Sequence, residues 1–212
     1  MTLRRRDKTM NYFAHLVLAQ PTVTSKVGNL MGDFMRGIRE EALSEPVRAG
    51  LRNHRLVDRF TDHHPRVRAS RRLFSPRRRR FAGVALDVLF DHFLIRHWSR
   101  FHDEDLAQVI RADYRHLQYG QPLMPGPMRE TTRRLVSHDW FGHYADLDTV
   151  GVALDRIAGR LRFANAFAGS IEDIRAHYGT LEDTFLSFYP ELRAHVADAA
   201  LERPVQPGTR AG

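Results

Sequence analysis

The chain has 212 residues, no cysteine and a formal charge of +8, with an isoelectric point near 10.5. That length suffices for one sizeable core without a second domain, and the missing thiols exclude disulfides and leave His, Asp, Glu and Asn as metal donors. The positive balance favours an acidic partner, while no run approaches the roughly 20 apolar residues of a membrane span, so no membrane partner is expected.

Arg4, Arg5 and Arg6 followed by an apolar stretch over 12–19 mimic a signal peptide, but His15 interrupts the stretch and no small-residue cleavage site follows cleanly. Met10 is a candidate start, which makes residues 1–9 a basic tail and 10–201 the folded domain. Pro21 stops the first apolar segment, and 27–38 is a helical candidate bracketed by Gly28 and Gly37. Pro46 suits a first helical turn, and Val47, Leu51, Leu56, Val57 and Phe60 carry that helix to about His64. A further helix starts near Pro65, and another runs over 81–100. Residues 106–119 are amphipathic, and the prolines and glycine of 122–127 mark a loop. Helices are expected over 128–138, 147–160 and 171–201, the last interrupted at Pro190. Residues 202–212 carry Pro and Gly without apolar periodicity and are expected to be a disordered tail. Strand signals are scarce, so the expected fold is a single-domain all-α helical bundle.

The segment LDVLFDHFLIRHW, residues 86–98, carries the most information. At about 100° per residue its apolar side chains surround the helix instead of forming one stripe, which is how a buried helix reads. Asp87, Asp91, His92, Arg96 and His97 are then candidates for burial, and buried charges require partners, of which a metal ion is one. A buried Asp paired with Arg55 or Arg59 is the plainer alternative. His54, Asp58 and Asp62, spaced by four, form a ladder along one side of a helix. They suit a metal site facing the first helix, or a solvated face paired with Arg55, Arg59 or Arg66.

GNLMGDFMRG, residues 28–37, offers Asp33 to a metal and Arg36 to a phosphate, or is simply a helix start capped by Asn29. His15 alone on an apolar segment reads as a core histidine. Arg71, Arg72 and Arg77 to Arg80 form the densest positive cluster, either a solvated loop or a docking patch. No helix-turn-helix, zinc finger or aromatic interleaving accompanies the charge, which makes nucleic acid a weak expectation.

Taken in order, NYFAHLVLA, GNLMGDFMRG, HRLVDRFTD, LDVLFDHFLIRHWS and LEDTFLSFYP resemble the bacterial acyl carrier protein phosphodiesterase family, over residues 10 to about 200. The adjacent Asp91 and His92 also resemble, in reversed order, the dyad of HD-type metal phosphohydrolases. The resemblance implies an HD-related all-α fold and a divalent metal, with manganese favoured and magnesium or iron as alternatives. It also implies release of 4'-phosphopantetheine from holo acyl carrier protein, a small acidic substrate, and a role for Asp33 in activity. With that reaction, the expected ligands are Asp33, His54, Asp91 and His92, with Asp58 and Asp87 as second choices. Asn29, Arg36 and Arg55 are candidates for the phosphate oxygens, and His15 or His97 for protonating the departing serine. The expected compartment is the cytoplasm. A nucleotide-directed phosphohydrolase and a nonenzymatic nucleic-acid-binding module are the competing readings.

Overall fold

The computed structural model describes residues 12–161 and 165–202, which form one all-α domain with no strand among them. The expected basic tail, together with Met10, lies outside the described residues. The chain opens with α1 (Tyr12–Val17) and α2 (Val23–Met31), followed by a single 3-10 turn, Gly32–Phe34. Thr22 caps α2 by accepting from the Ser25 amide, so this helix starts four residues before the expected 27. Asn29 therefore lies inside α2 and caps nothing.

Helix α3 (Glu45–His63) begins at Pro46 in its first turn and ends where Pro65 forces the chain out, and α4 (Pro65–Ser70) follows. Helix α5 (Ala82–Arg96) is the central element, with apolar side chains buried around nearly its whole circumference. It breaks at His97, so the expected continuous helix to 100 is α5 plus a short α6 (Trp98–Phe101). Helix α7 (Leu106–Tyr119) has the expected bounds because Asp105 caps it, and α8 (Gly126–Ser137) follows the proline-rich loop. A four-residue helix, α9 (Trp140–His143), precedes α10 (Leu147–Arg160), itself capped by Asp146 and bounded as expected.

The last segment departs from expectation. The break falls at His177, between α11 (Ser170–Ala176) and α12 (Tyr178–Ala199), and Pro190 sits inside α12 without ending it. Phe185, Phe188, Tyr189 and Leu192 bury one side of α12, and that packing outweighs the one helical hydrogen bond a proline removes. Phe185 and Phe188 meet Phe90 of α5 at ring separations of 5.5 and 5.6 Å. Glu202, expected as the first residue of the tail, is hydrogen-bonded to Ser25 and Asn29, while 203–212 lie outside the described residues. No described helix is long and apolar enough to cross a membrane.

Part of the dense arginine cluster works as internal stapling, while Arg72, Arg77, Arg79 and Arg80 stay exposed. Arg71 pairs with Asp62 at 2.7 Å, and buried Arg78 reaches Glu172 at 3.1 Å and the Ala168 carbonyl at 3.2 Å. Arg79 donates to the carbonyls of Phe74 and Arg72, and Arg80 lies over the Phe81 ring. Arg78 is the member that holds the α4–α5 connection to α11, through Glu172 and Asp173.

Candidate metal centre

The four-residue step on α3 sets His54 and Asp58 one above the other, and α1 brings His15 against them. One ligand atom from each of the three lies within 4.8 Å of the others. His15 Nε2 stands 3.4 Å from one Asp58 oxygen and His54 Nε2 3.5 Å from the other, and the two imidazoles stack at 4.1 Å. Donors bound at about 2.0–2.2 Å around a single ion are separated by roughly 2.8–3.6 Å, so these spacings fit one cation. Both nitrogens of His15, which is 1 % exposed, lack a hydrogen-bond partner of good geometry, an unusual state for a buried imidazole. Asp58 is 25 % exposed and opens the cluster to solvent.

Helix α2 fixes the orientation of His54. Its Nδ1 lies 2.7 Å from the Asn29 carbonyl oxygen, which can only accept, so Nδ1 carries a proton and Nε2 is the nitrogen turned toward Asp58. This contact needs α2 and α3 to approach closely, which Gly28 and Gly50 allow. A Cβ on Gly28 would stand 2.3 Å from the Val47 carbonyl oxygen, and one on Gly50 would stand 2.7 Å from that of Ser25. The Asn29 side chain accepts from Asn53 at 2.9 Å and donates to the Ser25 carbonyl and to Glu202, each at 3.1 Å. It is fully buried and committed to this lattice, so the structure does not offer Asn29 to a phosphate.

Gly32 seals the other side. A Cβ there would lie 2.0 Å from His54 Cδ2 and 2.1 Å from Nε2, so only glycine lets the turn pass over the ring. Gly32→Ala is expected to weaken Mn2+ binding by about 10–100-fold, the scale for disturbing a group that orients a ligand, with helical content kept. Calorimetric titration of the variant checks this, and wild-type affinity would show that the ring can move aside at no cost.

Helix α1, which carries His15, is held at both ends by charge. The Asp91 carboxylate accepts from the Phe13 and Ala14 amides at 3.0 and 2.9 Å, capping the N-terminus from 78 and 77 residues away. Buried Lys26 donates to the Leu16 carbonyl at 2.7 Å and pairs at 2.7 Å with Asp113 of α7. Acceptor oxygens at the N-terminus and a cation at the C-terminus both suit the helix dipole. Burial pushes the pKa of Asp91 well up, and its two amide bonds oppose that shift.

The other expected site residues are distributed differently. Asp91 and His92, expected as ligands, have their polar atoms engaged elsewhere. His92 donates from Nδ1 to the Tyr144 carbonyl and accepts at Nε2 from the Tyr178 hydroxyl, both at 2.8 Å, and burial lowers its pKa, keeping it neutral. Asp87 is half-buried on α5 and outside the three-residue cluster. His97 Nε2 is bound to Glu182 of α12 at 2.7 Å, which draws it away from a role as proton donor in the cluster. Arg55 pairs with Glu40 at 2.8 Å, whereas Arg36 is exposed on the loop after the Gly32 turn. Asp33 is half-buried on that turn, beside Gly32, and near enough to Tyr12 to add to the upward shift that burial imposes on its hydroxyl. His15, expected as a core histidine or a proton donor, is buried and adds its imidazole to the three-residue group that could hold a metal. Its only signal in the sequence was a lone polar group on an apolar helix.

The sequence model described as acyl carrier protein phosphodiesterase matches residues 10–192. A protein of that name from Shigella boydii serotype 18 is 38 % identical over 193 residues, 91 % of this chain and the whole of the relative. Proteins of the same name from Escherichia coli O139:H28 and O157:H7 are 37 % identical over the same spans. No solved structure matches the chain.

Proposed function

The chain belongs to the acyl carrier protein phosphodiesterase family and is a phosphoric diester hydrolase, and we propose that it acts on holo acyl carrier protein with a divalent metal, releasing 4'-phosphopantetheine and the apo carrier. The observation that carries the metal reading is the His15, His54 and Asp58 cluster, in which two imidazoles and one carboxylate converge at single-ion spacing. Two nitrogen donors favour Mn2+ or Fe2+ over Mg2+, which prefers an all-oxygen shell. A divalent cation there supplies polarisation of the phosphoryl oxygens and acidification of water.

The chain's own residues supply the rest. His54 is held in one tautomer by the Asn29 carbonyl, and His15 is held in place through α1, so neither must reorganise as the diester arrives. Hydrolysis forms a bond from a water oxygen to phosphorus, breaks the bond between phosphorus and the serine oxygen, and leaves a proton on the serine oxygen. We assign the proton transfer to Asp33, half-buried on the turn that passes over His54. Arg36, exposed on the same loop, is assigned to the phosphate oxygens in preference to Arg55, which Glu40 already neutralises. The compartment consistent with this reaction is the cytoplasm.

Incubating the Mn2+-loaded protein with holo carrier and reading the carrier's intact mass tests the proposal. Loss of the phosphopantetheine mass, abolished by chelation and restored by added Mn2+, is the expected result. An unchanged carrier alongside turnover of nucleotides would replace the substrate reading, and turnover indifferent to chelation would remove the metal.

A further inference from the structure

On α3, Leu56, Arg59, Phe60 and His63 follow one another at steps of three and one, so they share one stripe of the helix. With Pro65 and Arg66 of α4 and two residues of α12, they line an open surface cavity of about 700 Å3. Its floor is apolar, and the Phe60 ring is stacked against His195 at 4.7 Å. Its one lining carboxylate, Glu191, lies 3.2 Å from His64 Nε2. Among the described residues, no carboxylate stands within ion-pair distance of Arg59 or Arg66. That separates them from Arg48 and Arg52, paired with Glu45, from Arg55, paired with Glu40, and from the stapled arginines near α5.

The groove stands in a defined relation to the metal centre. At about 100° per residue, Asp58 falls on one flank of the exposed ridge that carries Arg55 and Arg59, and Leu56 and Phe60 fall on the other. The two features are thus separated by about one helix width, roughly 10 Å. A partner lying across the ridge reaches both.

We propose that this groove is the docking surface for the carrier protein, seating an acidic amphipathic helix whose carboxylates meet Arg59 and Arg66 and whose apolar side chains meet Leu56 and Phe60. The proposal rests on the reading above that the carrier is the substrate, and it moves docking from the arginine cluster near α5 to α3 and α4. A cationic rim around an apolar floor is the complement of an acidic amphipathic helix, and such contacts govern encounter and affinity more than chemistry.

The test uses the full chain and the double variant Arg59→Glu with Arg66→Glu. Anisotropy of fluorescently labelled apo carrier is expected to show binding weakened by about tenfold or more, with a shallower salt dependence than wild type. KM for holo carrier rises in parallel, while kcat at saturation and Mn2+-dependent cleavage of bis(4-nitrophenyl) phosphate stay at wild-type values. Unchanged carrier affinity overturns the proposal, and so does an equal loss on the small diester, which would make the groove part of the folding or chemistry. A shift in sedimentation of the free variant would instead mark a face between copies of this chain, also overturning it. Because binding is read apart from turnover, a wild-type protein that binds carrier but leaves its mass unchanged defeats the substrate reading and spares the groove.

Discussion

Asp58→Asn is expected to lower metal-dependent phosphodiester turnover by about a thousandfold while leaving the fold intact. Asp58 is the one anionic donor of the cluster, and its two oxygens face one imidazole each. An amide keeps the shape but gives up the charge and one acceptor. Lewis-acid catalysis is worth several kcal/mol, which at 1.36 kcal/mol per tenfold amounts to roughly three factors of ten. Asparagine keeps the shape of the side chain, so the metal-free variant is expected to stay folded, with a melting temperature near that of the metal-free wild type. Titration with Mn2+ and turnover of a diester measure the two losses together. Wild-type affinity for Mn2+ would take Asp58 out of the centre.

Asp91→Ala is expected to act in the opposite sense, costing about 3 kcal/mol of stability before any effect on chemistry is read. The substitution strands the Phe13 and Ala14 amides in the core, and each unsatisfied buried donor costs about 1–3 kcal/mol. At about 2–4 °C per kcal/mol for a chain of this size, the melting temperature falls by roughly 6–12 °C. Asp91→Asn keeps one acceptor and falls between the two. Thermal unfolding of the metal-free proteins checks this, and an Asp91→Ala protein with wild-type stability but no metal affinity would return Asp91 to the ligand set.

Those two aspartates show what was legible in the chain and what was not. The His54 and Asp58 pair could be read because its geometry is local, fixed by a four-residue step on one helix. Helices α7 and α10 could be placed for the same reason, since Asp105 and Asp146 announce their starts. The buried character of α5 was equally plain. What its charge met was not, because a helix N-terminus and a cation attract a carboxylate alike, and only the fold shows that Asp91 faces the start of α1. The meeting of His15 with His54 and Asp58, and the Lys26 and Asp113 pair, could not be read from the sequence because the partners lie across the molecule. The arginine run could not be sorted from the sequence, since only the fold shows that Arg78 is buried against Glu172 of α11 while Arg72, Arg77, Arg79 and Arg80 stay exposed.

The double anchoring of α1 also bears on the order in which the molecule assembles. A six-residue helix is far shorter than the roughly 12–15 residues that persist alone in water, so α1 does not outlast its anchors. One anchor comes from a helix 78 residues downstream, and the other passes through α2 to α7, so His15 reaches its place only after those distant closures. Until then the chain offers a cation only the His54 and Asp58 pair, two donors on one helix. With the metal proposed above, ion capture would be linked to completion of the native topology. A cation that binds the native state would also stabilise it by mass action, and withdrawing it would loosen the domain along with the site.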